Sequence, residues 1–217
     1  MRLLPYTRRC DGAEGMREMA LDHDSTTEAR TATGRAEDAG RQTVDGATFG
    51  RAAAVLRLLI SFTFLWAFLD KAFGWGYATP AARAWVEGGS PAEGFLSGVA
   101  VGPLESTFHS MAGQAWVDWV FMLGLLGIGL ALAAGIGLRV TAVAGTVMMA
   151  LMWAAEWPPA QHLSDGTPSM STNPLVDYHV LYAAVLIVLA LASAGRIWGL
   201  GRTWERLPLV ARHRWLL

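Results

Sequence analysis

Long apolar stretches, separated by short polar segments, dominate the part of the chain that follows Arg51. There are four of them, Ala52–Leu69, Trp116–Gly135, Leu138–Ala155 and Val176–Ala194. Each is close to the roughly 20 residues that a helix needs to cross a bilayer core of about 30 Å. None shows the alternation of polar and apolar positions that a barrel strand would require. Because backbone groups in lipid must be paired within their own segment, the pattern predicts an all-α, integral membrane four-helix bundle.

The first fifty residues are polar and contrast with the rest of the chain. Few large apolar side chains occur there after Leu21, so the segment cannot bury enough surface to offset the entropy lost on ordering. We therefore predict a disordered polar tail over 1–50, a membrane domain over 51–200 and a basic C-terminal segment over 201–217. The start is not expected to be a signal peptide, because its apolar stretch is short and acidic residues follow it.

Composition narrows the classes of function. The chain is 53% hydrophobic and carries a formal net charge of −1, with no extended basic patch, so nothing indicates nucleic-acid binding. Its single cysteine, Cys10, cannot form an internal disulfide or a dithiol redox pair. Any redox role would therefore need other side chains, a bound cofactor or a partner.

The distribution of Lys and Arg predicts the orientation in the membrane. Arginines precede the first stretch, follow the fourth and occupy the turn between the second and third, whereas the loop over 156–177 has neither Lys nor Arg. Basic loops stay on the cytoplasmic side. We therefore predict a multi-pass protein of the plasma membrane with both termini in the cytoplasm. Arg57, inside the first stretch, is interpreted as an anchor that snorkels to the cytoplasmic interface.

The loop between the first two stretches is too apolar to be unstructured. Ser90-Pro91-Ala92-Glu93 is typical of a helix start, with Ser90 as the N-cap, and a second short piece is expected over 104–111. We interpret both as interfacial helices that lie over the bundle. In the second stretch, Gly127, Ala131 and Gly135 recur every four residues and predict a face of close helix packing.

Polar side chains concentrate at the predicted outer ends of the helices. They are Asp70, Lys71, Asp118, Glu156, Asp177, Tyr178 and His179, with Glu105, His109 and His162 on the adjoining loops. Polar groups at a membrane are costly and mark candidate sites, and this set predicts a polar pocket beneath the outer loop. A structural interpretation competes with it, because charged residues commonly end helices at an interface and acids favour first turns. No metal site is expected, since the histidines are not at short ligand spacings and no thiolate is available.

The most distinctive segment is Thr172–Tyr182. Asn173 is predicted to cap the fourth helix and Pro174 to start it, and Tyr178 and Tyr182 then share one face at four-residue spacing.

At this level of detail the chain resembles the DoxX family of membrane proteins, and its DoxD-like branch in particular. The residues that carry the resemblance are Leu69–Gly74, Gly94–Gly98, Gly102-Pro103, Trp119–Gly129 and Thr172–His179. They occur in the same order over about residues 53–215, and the N-terminal tail is outside the resemblance.

The resemblance implies a four-helix membrane protein similar to the membrane subunit of thiosulfate:quinone oxidoreductase. Such an enzyme oxidises thiosulfate to tetrathionate, passes electrons to quinone and includes a smaller DoxA-like subunit. Other members of the family are membrane partners of soluble redox or detoxification enzymes, so a non-catalytic scaffold is the alternative function, and a homo-oligomer is also expected. A transporter is disfavoured, because no charged residue lies near the predicted midplane.

Residue roles follow from the physical interpretation rather than from the family. Asp177, His179 and Glu156 are predicted to handle protons, because the task needs groups that titrate within hydrogen-bond reach of a quinone. Tyr178, Lys71, Asp70 and Asp118 are predicted to bind the quinone or the substrate.

Overall fold

The computed structural model describes residues 46–216, and all but the first four of these belong to one compact unit, Gly50–Leu217. Most of the predicted polar tail, with Cys10, lies outside the described residues. The described part is all-helical and contains no strand, which confirms the predicted class. The predicted domain boundaries at 50 and 200 stay predictions.

Three helices are long and apolar enough to cross a membrane, α1 (Gly46–Phe73), α4 (Ala115–Ala134) and α5 (Leu138–Glu156). They contain the first three predicted spans almost residue for residue. Two glycines explain where α4 ends and α5 begins. Gly135 and Gly137 both adopt left-handed conformations, with φ of 69° and 57°, so the chain reverses between α4 and α5 within three residues.

The predicted fourth span, Val176–Ala194, is wrong in its length. The structure has a shorter helix there, α6 (Tyr178–Leu191), of 14 residues. At 1.5 Å per residue it is about 21 Å long, less than the roughly 30 Å of a bilayer core. Ser193 then takes a left-handed φ of 48° and a 3-10 turn, Ala194–Arg196, follows. The apolar run alone would allow a longer helix, but the turn at Ser193 ends α6 before the predicted length is reached.

Two short helices in the first loop match the predicted pieces, α2 (Glu93–Ser97) and α3 (Glu105–Met111), preceded by 3-10 turns at Ala81–Arg83 and Trp85–Glu87. The predicted cap of α2 is wrong. Ala92 is the N-cap residue and provides no side-chain bond, whereas the Ser90 hydroxyl donates to Asp118. Ser90 therefore ties the loop to α4 instead of starting α2.

The C-terminal segment is also folded. It forms α7 (Gly201–Trp204), α8 (Pro208–Arg212) and a last 3-10 turn, Arg214–Leu216. The Trp204 indole donates to the Leu216 carbonyl, and Arg139 of α5 donates to the Arg214 carbonyl. The segment predicted as a basic extension is therefore attached to the helices.

One apolar core joins α1, α4, α5 and α6. Its buried members include Phe64, Met122, Ile128, Met149 and Leu186. Large apolar side chains also cover the outward faces of the same helices, for example Phe62, Val120, Leu130, Val143 and Leu181. Helices that are apolar on both faces are typical of a lipid environment, because water would disfavour the outer set.

Close helix contacts follow the predicted glycine face only in part. Gly135 lies against Gly195, where an added Cβ would come within 2.7 Å of the Gly195 Cα. Gly129, two residues from Gly127 and outside the predicted face, packs on Leu65, whereas a Cβ at Gly127 would meet nothing within 4 Å. The four-residue spacing was therefore right at Gly135 and wrong at Gly127, because the partner helices fix which side of α4 is covered.

Candidate functional site

Four side chains from the end of α5 and the start of α6 form a connected polar group, called here the acid–histidine cluster: Glu156, Asp177, Tyr178 and His179. The Tyr178 hydroxyl donates to Glu156 Oε1 at 2.6 Å. His179 Nδ1 lies 2.8 Å from Asp177 Oδ2 and 4.0 Å from Glu156 Oε2. The cluster brings together all three predicted proton-handling residues and the predicted quinone-binding tyrosine.

The backbone around the cluster explains its position. Helix α5 ends at Glu156, and the left-handed φ of 42° at the next residue, Trp157, turns the chain away while the Trp157 N–H still donates to the Trp153 carbonyl. The Trp153 indole then donates to the Leu175 carbonyl, which holds the approach to α6 beside the end of α5. The two helices run antiparallel from there, so the end of one and the start of the other share a site.

Asp177 performs two tasks with its two oxygens. Its Oδ1 accepts from the Val180 N–H and caps α6, whereas its Oδ2 bonds the His179 ring. The predicted cap, Asn173, instead accepts from the N–H groups of Leu175 and Val176 within the loop. The predicted helix start at Pro174 is therefore wrong by four residues, because Asn173 stabilises a local turn.

Electrostatics favour an ionised Asp177. Burial raises its pKa, but the hydrogen bonds from His179 and the Val180 N–H outweigh burial, so the pKa lies below its usual value of 3.8. A carboxylate only accepts, so His179 Nδ1 must carry the proton in their hydrogen bond. The other ring nitrogen, Nε2, is then a free acceptor in the neutral ring.

That acceptor has no protein partner. His179 is 1% exposed, and Nε2 is buried without a hydrogen bond to any described residue. A buried polar atom left unpaired costs about 1–3 kcal/mol, so the position favours an external hydrogen-bond donor. Tyr178 packs on the His179 ring at a centroid distance of 4.0 Å and on Tyr182 at 6.3 Å, as their predicted shared face implies.

The cluster also has the composition of a cation site. Ligand atoms of Glu156, Asp177 and His179 all lie within 4.8 Å of one another. The sequence argument tested histidine and thiolate spacing and missed this set, whose members lie on the two sides of the loop between α5 and α6. Carboxylates and imidazole are common ligands of divalent cations. In the structure, however, His179 Nδ1 is hydrogen-bonded to Asp177.

Asp70 and Asp118 lie apart from the cluster and hold loops. Asp70 is 2% exposed and accepts from the N–H groups of Tyr77 and Ala78, which closes the turn after α1. Asp118 is 6% exposed and accepts from the Ser90 hydroxyl and the Ala92 N–H. Among residues 46–216, no hydrogen bond joins either acid to the acid–histidine cluster. Their contacts agree with the structural interpretation of acids at helix ends.

Lys71 borders a separate cavity of about 270 Å³, called here the Lys71 cavity, together with Thr79, Arg83, Ser90 and Phe95. Within the described part of the chain, no carboxylate oxygen lies within 4.0 Å of the charged nitrogens of Lys71 or Arg83. Asp70, the nearest acid in sequence, is occupied by backbone donors. The sequence predicted one polar pocket, whereas the structure separates the cationic cavity from the acid–histidine cluster.

Arg57 contradicts its predicted role as a snorkelling anchor. Its side chain is 0% exposed. The guanidinium donates to the carbonyls of Leu132 and Ala133 at the end of α4 and to the Trp198 carbonyl, the last two at 2.8 and 2.7 Å. The C-terminal end of a helix attracts cations, so Arg57 turns inward to the end of α4, where it supplies a donor to the Ala133 carbonyl.

Comparison with known proteins adds no relative: the chain matches no protein-family model, no curated protein and no solved structure. The resemblance to the DoxX family therefore stays a prediction.

Proposed function

We propose that the protein is the membrane subunit of a quinone-linked oxidoreductase of the DoxX type, which oxidises thiosulfate at the outer face of the plasma membrane. In this proposal α1, α4, α5 and α6 form a four-helix membrane bundle. Both termini are cytoplasmic, and the helix ends that carry Asp70, Asp118, Glu156 and Asp177 face outward. Three long apolar helices with apolar outer faces support a membrane location.

The short α6 is compatible with this arrangement. Bilayers accommodate short spans by local thinning, at fractions of a kcal/mol per Å of mismatch. Apolar residues also lie on both sides of the helix, with Leu175 and Val176 before it and Ala192 and Ala194 after it.

The observation that carries the proposal is the buried, unpaired Nε2 of His179, held in place through Nδ1 by Asp177. A hydroquinone hydroxyl that donates to Nε2 would give its proton to the ring, and the ionised Asp177 would stabilise the resulting imidazolium. In the opposite direction the imidazolium would protonate a reduced quinone oxygen. Glu156 and Tyr178 form a second hydrogen-bonded pair beside the ring, through which a proton can pass to the outer face.

The sulfur substrate is assigned to the Lys71 cavity. Thiosulfate is a small divalent anion, and Lys71 and Arg83 are two cations that form no salt bridge within 4.0 Å among residues 46–216. Two thiosulfates join through a new S–S bond to give tetrathionate and release two electrons. One quinone takes up these two electrons and two protons to become the hydroquinone.

A smaller DoxA-like subunit and association between copies of the chain belong to the same proposal. The exposed loop between α5 and α6 and the exposed surface of α2 lie at the end where such a soluble subunit would bind.

The test is thiosulfate-dependent reduction of a water-soluble quinone analogue in membranes that contain the full chain, with and without a DoxA-like subunit. The key variant is His179→Gln, and the matched control is His162→Gln, which changes an exposed histidine in the adjoining loop. Loss of a general acid–base residue costs about 10² to 10⁴ in rate, so His179→Gln should fall at least a hundredfold while His162→Gln stays near wild type.

Two outcomes would contradict the proposal. Membranes with both subunits could show no activity above membranes that lack the chain, which would leave the alternative of a scaffold for a soluble redox or detoxification enzyme. His179→Gln could also keep wild-type turnover at an equal amount of inserted protein, which would remove the histidine from the reaction.

A further inference from the structure

A second cavity lies at the opposite end of the helices, where α4, α5 and α6 meet the C-terminal segment. Its volume is about 210 Å³, and its walls include Arg139, Arg196, Arg214, Ser193, Trp204 and Glu205. The three arginines come from three separate elements, the first turn of α5, the 3-10 turn after α6 and the last 3-10 turn. With one glutamate against three arginines, the formal charge of the wall is +3 − 1 = +2.

The arginines are not equally available. Arg196 is held by Glu205 through two bonds of 2.8 and 3.1 Å. Arg139 donates from one nitrogen to the Arg214 carbonyl and makes no other side-chain hydrogen bond with residues 46–216. Among the described residues, the unneutralised charge of the wall therefore belongs to Arg139 and Arg214.

The backbone at the cavity adds to the attraction for an anion. The N-terminal turn of α5 borders it, and the N-cap residue of this 19-residue helix, Gly137, supplies no side-chain cap. The carbonyls at the end of α4 would repel an anion, but they are already occupied. Arg57 takes those of Leu132 and Ala133, and the Leu200 N–H takes that of Ala134. The cavity thus combines the positive N-terminal end of α5 with the guanidinium groups of Arg139 and Arg214.

We infer that this cavity binds a phosphate group through Arg139 and Arg214. Guanidinium forks match the geometry of phosphate oxygens, and helix N-termini favour the same charge. In the proposed orientation the cavity lies at the cytoplasmic interface, where basic pockets between membrane helices meet anionic lipid headgroups. The inference does not depend on quinone chemistry at the other end of the molecule.

The experiment uses the purified full chain in a nonionic detergent. Lipid binding is measured by native mass spectrometry during titration with phosphatidylglycerol, with phosphatidylcholine as the headgroup that has a phosphate but no net charge. A parallel arm measures the thermal midpoint with inorganic phosphate. The variant is Arg214→Gln, whose side chain makes no hydrogen bond to a described residue. The control is Arg212→Gln, which removes the same charge from the same segment outside the cavity.

Phosphatidylglycerol is expected to bind the wild type and the Arg212→Gln variant equally, and the Arg214→Gln variant about fivefold more weakly, as for the loss of one basic contact. Adding Arg139→Gln should weaken it roughly fivefold again. Inorganic phosphate alone could raise the thermal midpoint of the wild type but not that of Arg214→Gln. The cavity would then bind free phosphate as well as a lipid headgroup. The comparison uses variants that keep the wild-type thermal midpoint in the absence of ligand. The inference would be overturned if the wild type bound phosphatidylcholine as tightly as phosphatidylglycerol, or if Arg212→Gln weakened binding as much as Arg214→Gln.

Discussion

The buried position of Arg57 makes a sharp prediction about stability. Replacing it with methionine, which fills similar space without charge, removes three charge-assisted bonds and leaves the carbonyls of Ala133 and Trp198 unpaired, whereas the Leu132 carbonyl keeps its bond from the Gly135 N–H. Each such bond contributes about 1.5–3 kcal/mol, but removal of the charge also removes its desolvation cost. The two carbonyls left without a donor cost about 1–3 kcal/mol each, so we expect a loss of about 4 kcal/mol in the free energy of unfolding.

The assay is reversible unfolding of the detergent-solubilised chain by titration with sodium dodecyl sulfate, followed by tryptophan fluorescence. Arg57→Lys should lose about half as much, because an ammonium keeps the charge but cannot span α4 and the Trp198 carbonyl with a planar fork. Arg51→Met is the matched control, since Arg51 lies in the same helix with an exposed side chain. If Arg57→Met unfolds within about 1 kcal/mol of Arg51→Met, Arg57 is an interfacial anchor after all, and the described contacts do not stabilise the fold.

Other predictions use the same unfolding assay or a simple companion to it. Gly195→Ala should destabilise by about 2 kcal/mol or more, because its Cβ would fall 1.9 Å from the Gly135 carbonyl oxygen, whereas Gly127→Ala has open space and should be neutral or slightly stabilising. Asp118→Asn should speed proteolysis of the loop over 74–114, because it weakens the bonds from the Ser90 hydroxyl and the Ala92 N–H. Ser90→Ala removes only one of these bonds and should have a smaller effect. Equal protease resistance of the wild type and both variants would contradict the role of this carboxylate. Treatment with EDTA should leave the thermal midpoint unchanged, and a clear fall that zinc or manganese restores would show that the acid–histidine cluster binds a metal.

The comparison of α1 with α6 shows why span prediction succeeded once and failed once. Both come from continuous apolar runs, and hydropathy alone treats them alike. Helix α1 continues past its predicted end to Phe73, because its last turn is closed by local bonds such as that from the Gly74 N–H to the Asp70 carbonyl. Helix α6 stops at Leu191, because Gly195 must approach Gly135 closely, and a straight helix would carry the chain past that contact.

The acid–histidine cluster was predictable as a set of residues but not as an arrangement. Glu156 ends one helix and His179 starts the next, and helices joined by a loop on one side of a membrane bring such ends together. The orientation of the ring was not predictable, since it depends on Asp177 serving as both cap and partner. Nor could the sequence distinguish Asp118, which holds a loop, from Glu156, which accepts from a tyrosine.

By itself, the sequence determined the all-helical class and the three long apolar helices, and it placed Glu156, Asp177, Tyr178 and His179 at one end of them. These follow from local properties, namely apolar length, glycine turns and the cost of polar groups near lipid. Only the tertiary structure decided that Arg57 turns inward, that Asp70 and Asp118 hold loops and that Lys71 borders a cavity of its own. Those outcomes depend on which backbone donors and acceptors of distant segments remain unpaired, and a linear pattern does not contain that information.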